Sequence, residues 1–113
     1  MNTIGISKEG DIAIVKSRIK RLDASVALVF KQEVQEVVES GEKALVLDLE
    51  SVQFMDSSGL GAMVSILKVI GAGGKLVVCN PTRAVLSLFN LTRMDKIFTI
   101  ASLPDEAIAK LQR

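Results

Sequence analysis

The chain contains no histidine. That removes the usual general base and the commonest metal ligand, and it excludes a hydrolase of the Ser-His-Asp type. Cysteine occurs once, as Cys79. No disulfide can close within the chain, which fits a reducing compartment. With one cysteine and no histidine, neither a zinc site nor any other cofactor is expected. Cys79 falls at a strand end and reads as a small buried apolar group. An excess of charge is also missing: 14 basic and 13 acidic residues leave a net charge of +1. A nucleic-acid binder needs a basic face to displace counterions from phosphates, so no nucleic-acid partner is expected. The basic run Lys16, Arg18, Lys20 and Arg21 reads as a solvated strand edge or loop. No apolar run approaches the ~20 residues that span a bilayer, and Lys68 interrupts the longest candidate. The N-terminus, Met-Asn-Thr-Ile-Gly, lacks the basic start and long apolar stretch of a signal peptide. The expectation is a cytoplasmic protein with no membrane insertion. Repeats and low-complexity segments are absent as well.

What is present is an ordinary globular composition, 49% hydrophobic and 24% charged over 113 residues. That length predicts one domain, residues 1–113, with a single core. Residues 2–7 and 11–17 are β-branched-rich runs around the turn Lys8-Glu9-Gly10-Asp11, which predicts a hairpin. From Asp23 to Ser40, Val26, Phe30, Val34 and Val37 recur at helical spacing. Asp23 is placed to cap that helix and Gly41 to end it. Residues 44–50 begin as a continuous apolar run, as a central strand covered on both faces does. Asp48 and Glu50 read there as charges at the end of the sheet.

A second helix is predicted from Ser57 or Ser58 to about Ile70. Leu60, Met63, Val64, Leu67 and Ile70 form its inner stripe, and Ser58, Ala62, Ser65 and Val69 its outer face. Gly71 to Gly74 stop it. Residues 75–79 form another strand. Asn80-Pro81 reads as the cap and first residue of a third helix carrying Val85, Leu88, Phe89 and Thr92. Residues 96–101 form a last strand, and Ser102 to Asp105 read as a capping box before a helix through Ile108 and Leu111. The order β-β-α-β-α-β-α-β-α predicts an α/β fold: a mostly parallel sheet of about five strands with right-handed crossovers, an antiparallel edge hairpin and about four helices.

The stretch Phe-Met-Asp-Ser-Ser-Gly-Leu-Gly, residues 54–61, is where chemistry concentrates. A strand-to-helix corner presents unpaired amides and partial positive charge, which favour an anion. A serine hydroxyl at its rim is open to a modifying enzyme. Gly59 and Gly61 keep the surface low for an approaching protein. Taken alone, Asp-Ser-Ser-Gly is an ordinary helix cap. A serine on such a corner is also the shape of an α/β-hydrolase nucleophile, which the missing histidine argues against.

Residues 44–98, and more loosely the whole chain, resemble the STAS domain, named for sulfate transporters and anti-sigma factor antagonists. The segments LVLDLESVQFMDSSGLGAMV and GGKLVVCNPTRAVLSLFNLTRMDKIF carry the resemblance. It implies a STAS-type βαβ sandwich and a non-enzymatic anti-sigma factor antagonist. It implies phosphorylation of Ser57 by a partner that is both anti-sigma factor and serine kinase, with reversal by a serine phosphatase. Ser58 is expected to be the cap, and Asp23 in RLDAS to join the partner surface. That surface would comprise Asp23, Asp56, Ser57, Ser58, Gly59, Gly61, Ala62 and Ser65. The alternative implied is a non-switching STAS subunit of a larger assembly, such as a lipid-transport complex.

Overall fold

A computed structural model describes residues 2–112. The first hairpin forms from β1 (Ile4–Glu9) and β2 (Ile12–Ser17), which pair antiparallel from Ile4 opposite Ser17 to Glu9 opposite Ile12. Gly10, the first residue of the two-residue turn, has φ +58°, a conformation that glycine enters without cost. Next come a two-residue strand, β3 (Arg21–Leu22), and α1 (Ala27–Glu39). They are followed by β4 (Ala44–Asp48), β5 (Phe54–Met55) and α2 (Ser57–Ile70). The chain ends with β6 (Lys75–Cys79), α3 (Arg83–Leu91), a 3-10 turn at Met94–Lys96, β7 (Thr99–Ala101) and α4 (Pro104–Leu111).

Five strands make one sheet in the order β1-β2-β4-β6-β7, parallel except for the edge hairpin. This is the predicted α/β architecture with its four helices. The apolar run at 44–50 forms the middle strand, where Leu45, Val46 and Leu47 are fully buried. Its alternating side chains supply two cores. Leu45 and Leu47 join Phe30, Val34, Met63, Ile66, Val85 and Phe89 from α1, α2 and α3. Val46 joins Val77, Cys79, Ala101 and Ala107, under α4. Two-sided burial is why this strand shows no polar alternation.

Several local expectations are corrected. The first helix starts at Ala27, and Asp23 is not its cap. Asp23 instead closes a turn: its carboxylate accepts from the Ser25 amide, and its carbonyl accepts from the Val26 and Ala27 amides. The cap of α2 is Asp56, not Ser58. Its buried residues are Gly59, Ala62, Met63 and Ile66, with Leu60, Val64, Leu67 and Ile70 partly buried. The predicted inner stripe thus packs on the core, and because α2 packs against α1 as well as the sheet, Ala62 of the predicted outer face is buried while Ser58, Ser65 and Val69 stay half-buried. Asn80 does not cap α3; it sits at φ +53° and donates from its side chain to the Asp48 carboxylate, so the helix begins at Arg83. Asp48 is the last residue of its strand, at the end of the sheet as expected, and is buried there. The last strand begins at Thr99, because Met94–Lys96 turns first. Before α4 there is no capping box: Leu103 is the N-cap, with Pro104 as the first helical residue.

Candidate functional site

One element absent from the sequence reading builds the site. β3 and β5 form a separate two-stranded parallel ladder, with Arg21 opposite Phe54 and Leu22 opposite Met55. The ladder is fixed by Gln53 and Phe54 amides donating to the Lys20 carbonyl at 2.8 and 3.2 Å. Leu22, fully buried, anchors it to the core. Just past it the Asp56 amide donates to the Leu22 carbonyl at 3.5 Å, so Asp56 lies beside the residue that precedes Asp23. Two segments more than thirty positions apart thus meet at the corner that the serines occupy.

The corner follows from local chemistry. Asp56 is extended, at φ −116° and ψ −168°, and its Oδ1 accepts from the Ser58 and Gly59 amides at 2.9 and 3.2 Å. These are two of the donors that a helix start leaves unpaired. Because the aspartate does the capping, neither serine hydroxyl is committed to it. Ser57 is the first helical residue and is exposed, whereas Ser58 is half-buried.

Gly59 is buried, and its role is internal. A Cβ built there would lie 2.3 Å from the Leu22 carbonyl oxygen and 2.6 Å from Met55 Cγ. Its missing side chain lets the first turn of α2 rest on the β3-β5 ladder. Gly61 is exposed, with nothing within 4 Å of the corresponding position. Of the two expected low points, only Gly61 belongs to the open surface.

On the other side of the corner, Ser58, Ala62 and Ser65 meet Ala27, Leu28 and Lys31 of α1 across a shallow groove of about 230 Å³. Ala62 is buried in this seam, and Leu28 stands 59% exposed on its rim. The predicted outer face of α2 is thus the junction of two helices.

Three residues of this surface were missed: Arg21, Phe54 and Leu28. The Arg21 guanidinium lies 4.1 Å from the centre of the exposed Phe54 ring, a cation–π contact. The Arg21 Nε also donates to Asp23 Oδ2 at 3.3 Å. The signal was available in part, since Arg21 and Asp23 alternate around a buried Leu22, but strands of two residues leave no period to read. The Asp23 carboxyl is held below the usual carboxylate range. The Ser25 hydroxyl bond contributes most, then the Ser25 amide, with Arg21 adding less against an opposing effect of burial. It is an anion at neutral pH.

No group of three or more His, Cys, Asp or Glu residues suited to a metal occurs among the described residues. None of their helices is long and apolar enough to cross a membrane. Cys79 is buried as expected, and its thiol is pushed up to about 12, chiefly by burial and then by the Asp48 and Glu50 carboxylates.

The pattern of the STAS domain family matches residues 6–107. A Thermotoga maritima protein, provisionally assigned as an anti-sigma factor antagonist, is 31% identical over 105 residues, covering 91% of this chain and 93% of that one. The anti-sigma F factor antagonist of Paenibacillus polymyxa is 30% identical over 93 residues, covering 80% of each. The crystal structure of a T. maritima protein with the same provisional assignment superposes with a TM-score of 0.89 at 28% identity, over 97% of this chain and 95% of that one. Structures of SpoIIAA, unphosphorylated and phosphorylated, share the fold at TM-scores of 0.70 and 0.69 and 17% and 18% identity. They cover 96% and 95% of this chain and 97% of each of theirs.

Proposed function

The chain belongs to the STAS domain family, and from that premise we propose that it is an anti-sigma factor antagonist switched by phosphorylation of Ser57. The observation that carries this reading is the β3-β5 register, which sets the Asp23 loop beside the Asp56–Ser57 corner. Unmodified, the protein docks an anti-sigma factor with serine kinase activity through this corner, the α1–α2 seam and Gly61. Docking frees a sigma factor. Phosphorylated, it lets go, and a serine phosphatase restores it. The antagonist named for P. polymyxa and the phosphorylated SpoIIAA structure support this assignment.

The energetics favour a surface switch over refolding. Phosphorylation adds roughly −1.5 to −2 charges. At the N-terminus of α2 this charge meets the helix dipole, typically a gain of about 0.3–1 kcal/mol when exposed. In a closed interface the same dianion must shed water beside Asp56 and Asp23, both acidic. Leaving one interface charge unpaired costs about 2–5 kcal/mol, and ~1.4 kcal/mol is a tenfold change in affinity. Binding therefore changes far more than stability.

The experiment is phosphopeptide mapping with the copurifying kinase, paired with pulldowns of variants. Ser57→Ala is expected to hold the partner constitutively and resist modification, and Ser57→Glu to bind weakly. A phosphate found only on Ser58 overturns the assignment. Recovery of a transporter subunit in place of an ATP-using kinase identifies a non-switching role instead.

A further inference from the structure

Another concavity lies at the far end of the sheet from the serine corner. β6 starts at Lys75, but β7 pairs with it only from Val77 onward, opposite Thr99. The first two residues of β6 therefore extend past the last strand. Two helix ends close the space so formed: Leu67 comes from the last turn of α2, and Lys110 and Leu111 from the last turn of α4. Ile97, just before β7, completes a groove of about 430 Å³. Ser57 and Leu67 lie ten positions apart on one helix, which is about 15 Å at ~1.5 Å per residue. The groove shares no residue with the switch surface.

Its chemistry is apolar, with charge of one sign. Leu67, Leu76, Ile97 and Leu111 supply apolar surface, and Ile97 stands 52% exposed. The charged residues of the lining are Lys75 and Lys110, both exposed. Neither has a carboxylate within 4 Å among the described residues, and Glu106, one turn before Lys110 on α4, is no exception. Lys68 and Lys96, next in sequence to Leu67 and Ile97, are exposed as well. Asp95 precedes Lys96 but does not line the groove. Cations beside exposed apolar surface, without a counter-charge, complement a ligand that is apolar on one face and anionic at its flanks. The concavity between β1 and α1 has the opposite character: it carries Glu33, Glu36 and Glu42, and its Lys8 is already paired with Glu42. It serves as a control within the same molecule.

We propose that this groove is a second docking site, for an acidic amphipathic helix of a protein other than the anti-sigma factor. Such a helix offers apolar side chains on one face and carboxylates along its flanks. The apolar side chains cover Ile97 and Leu111, and the carboxylates pair with Lys75 and Lys110. Each exposed pair contributes up to about fivefold in affinity and weakens as salt rises. The groove lies at the other end of α2 from Ser57, so it stays open whether the switch is occupied or free. The docking itself does not depend on the switch. On the reading given above, it holds the antagonist in an assembly while its anti-sigma factor comes and goes.

The test is amide NMR of the full chain, titrated with a short synthetic helical peptide that carries leucines on one face and glutamates on the other. Saturable shifts are expected at Leu76, Ile97 and Leu111, with Ile6 and Ser57 unmoved and affinity falling as salt rises. The counterpart peptide with lysines in place of glutamates should leave the groove unmoved. Lys75→Glu combined with Lys110→Glu is expected to lose the acidic peptide by about tenfold or more and to gain the basic one, while melting close to the parent. Ile97→Ser should weaken binding several-fold, and Ser57→Glu should leave it unchanged. The proposal is overturned if the acidic peptide gives no saturable shift in the groove, if the two peptides bind alike, or if Ser57→Glu blocks binding. It is overturned equally if the double variant or Ile97→Ser binds the acidic peptide as tightly as the parent. Shifts of these residues by vesicles of anionic phospholipid, without any by the peptide, would overturn it too and assign the face to a membrane surface.

Discussion

At the scale of single residues, the corner divides its labour among neighbours that look interchangeable in sequence. Asp56 caps, so Asp56→Ala should cost about 1 kcal/mol in urea unfolding. Ser58→Ala, expected from the sequence to be the capping loss, should instead fall within about 0.5 kcal/mol of the parent. The two glycines separate in the same way. Gly61→Ala meets nothing within 4 Å and should be neutral or gain up to about 1 kcal/mol through helix propensity. Gly59→Ala drives a methyl into the Leu22 carbonyl and should be among the most destabilising changes in the chain, by about 2 kcal/mol or more. Cys79 yields a pH prediction. Its folded thiol titrates at about 12 rather than the ordinary 9.0. Above pH ~9 the unfolded thiol ionises while the folded one keeps its proton. The unfolded state then binds fewer protons, so stability is intact below that pH and is lost as pH rises toward the folded value. The loss approaches about 1.4 kcal/mol per pH unit. Urea midpoints of the parent should fall relative to Cys79→Ala between pH 9 and 11, and equal slopes would contradict the assignment.

At the scale of elements, β3 and β5 matter most and were the least visible. A helix such as α1 announces itself through Phe30, Val34 and Val37, and the middle strand through its unbroken apolar run. A ladder of two residues on each side has no period, and its partners are distant in sequence. The caps were misplaced for a related reason. Asp23, Asn80 and Ser102 are all residues that start helices, and other contacts gave them other duties or none: Asp23 a local turn with Ser25, Asn80 a long-range bond to buried Asp48. The ladder can be tested through Leu22, which is fully buried. Leu22→Ala should cost about 2–5 kcal/mol. At temperatures where the variant remains folded, it should also weaken partner binding, because the Asp23 loop loses its register against the Ser57 corner. Calorimetric melting combined with a binding titration checks both effects, and unchanged affinity would argue that the ladder is structural only.

At the scale of the whole molecule, the strand count of the main sheet, the central place of residues 44–50, the antiparallel edge and the helix count were all legible. Alternation of apolar runs with helical stripes constrains topology strongly even where boundaries slip. The serine corner was legible as a place, and Ser57 as its exposed member. Its breadth was not, because Arg21, Phe54 and Leu28 join it only through packing of distant segments. The central claim is that a phosphate on Ser57 acts on docking and spares the scaffold. The most direct measurement is isothermal titration of the copurifying anti-sigma factor with unmodified and stoichiometrically Ser57-phosphorylated protein, alongside melting curves of both forms. The account predicts at least a tenfold loss of affinity on phosphorylation with melting temperatures that match or rise slightly. Equal affinities, or a phosphorylated form that has lost its cooperative melt, would contradict it.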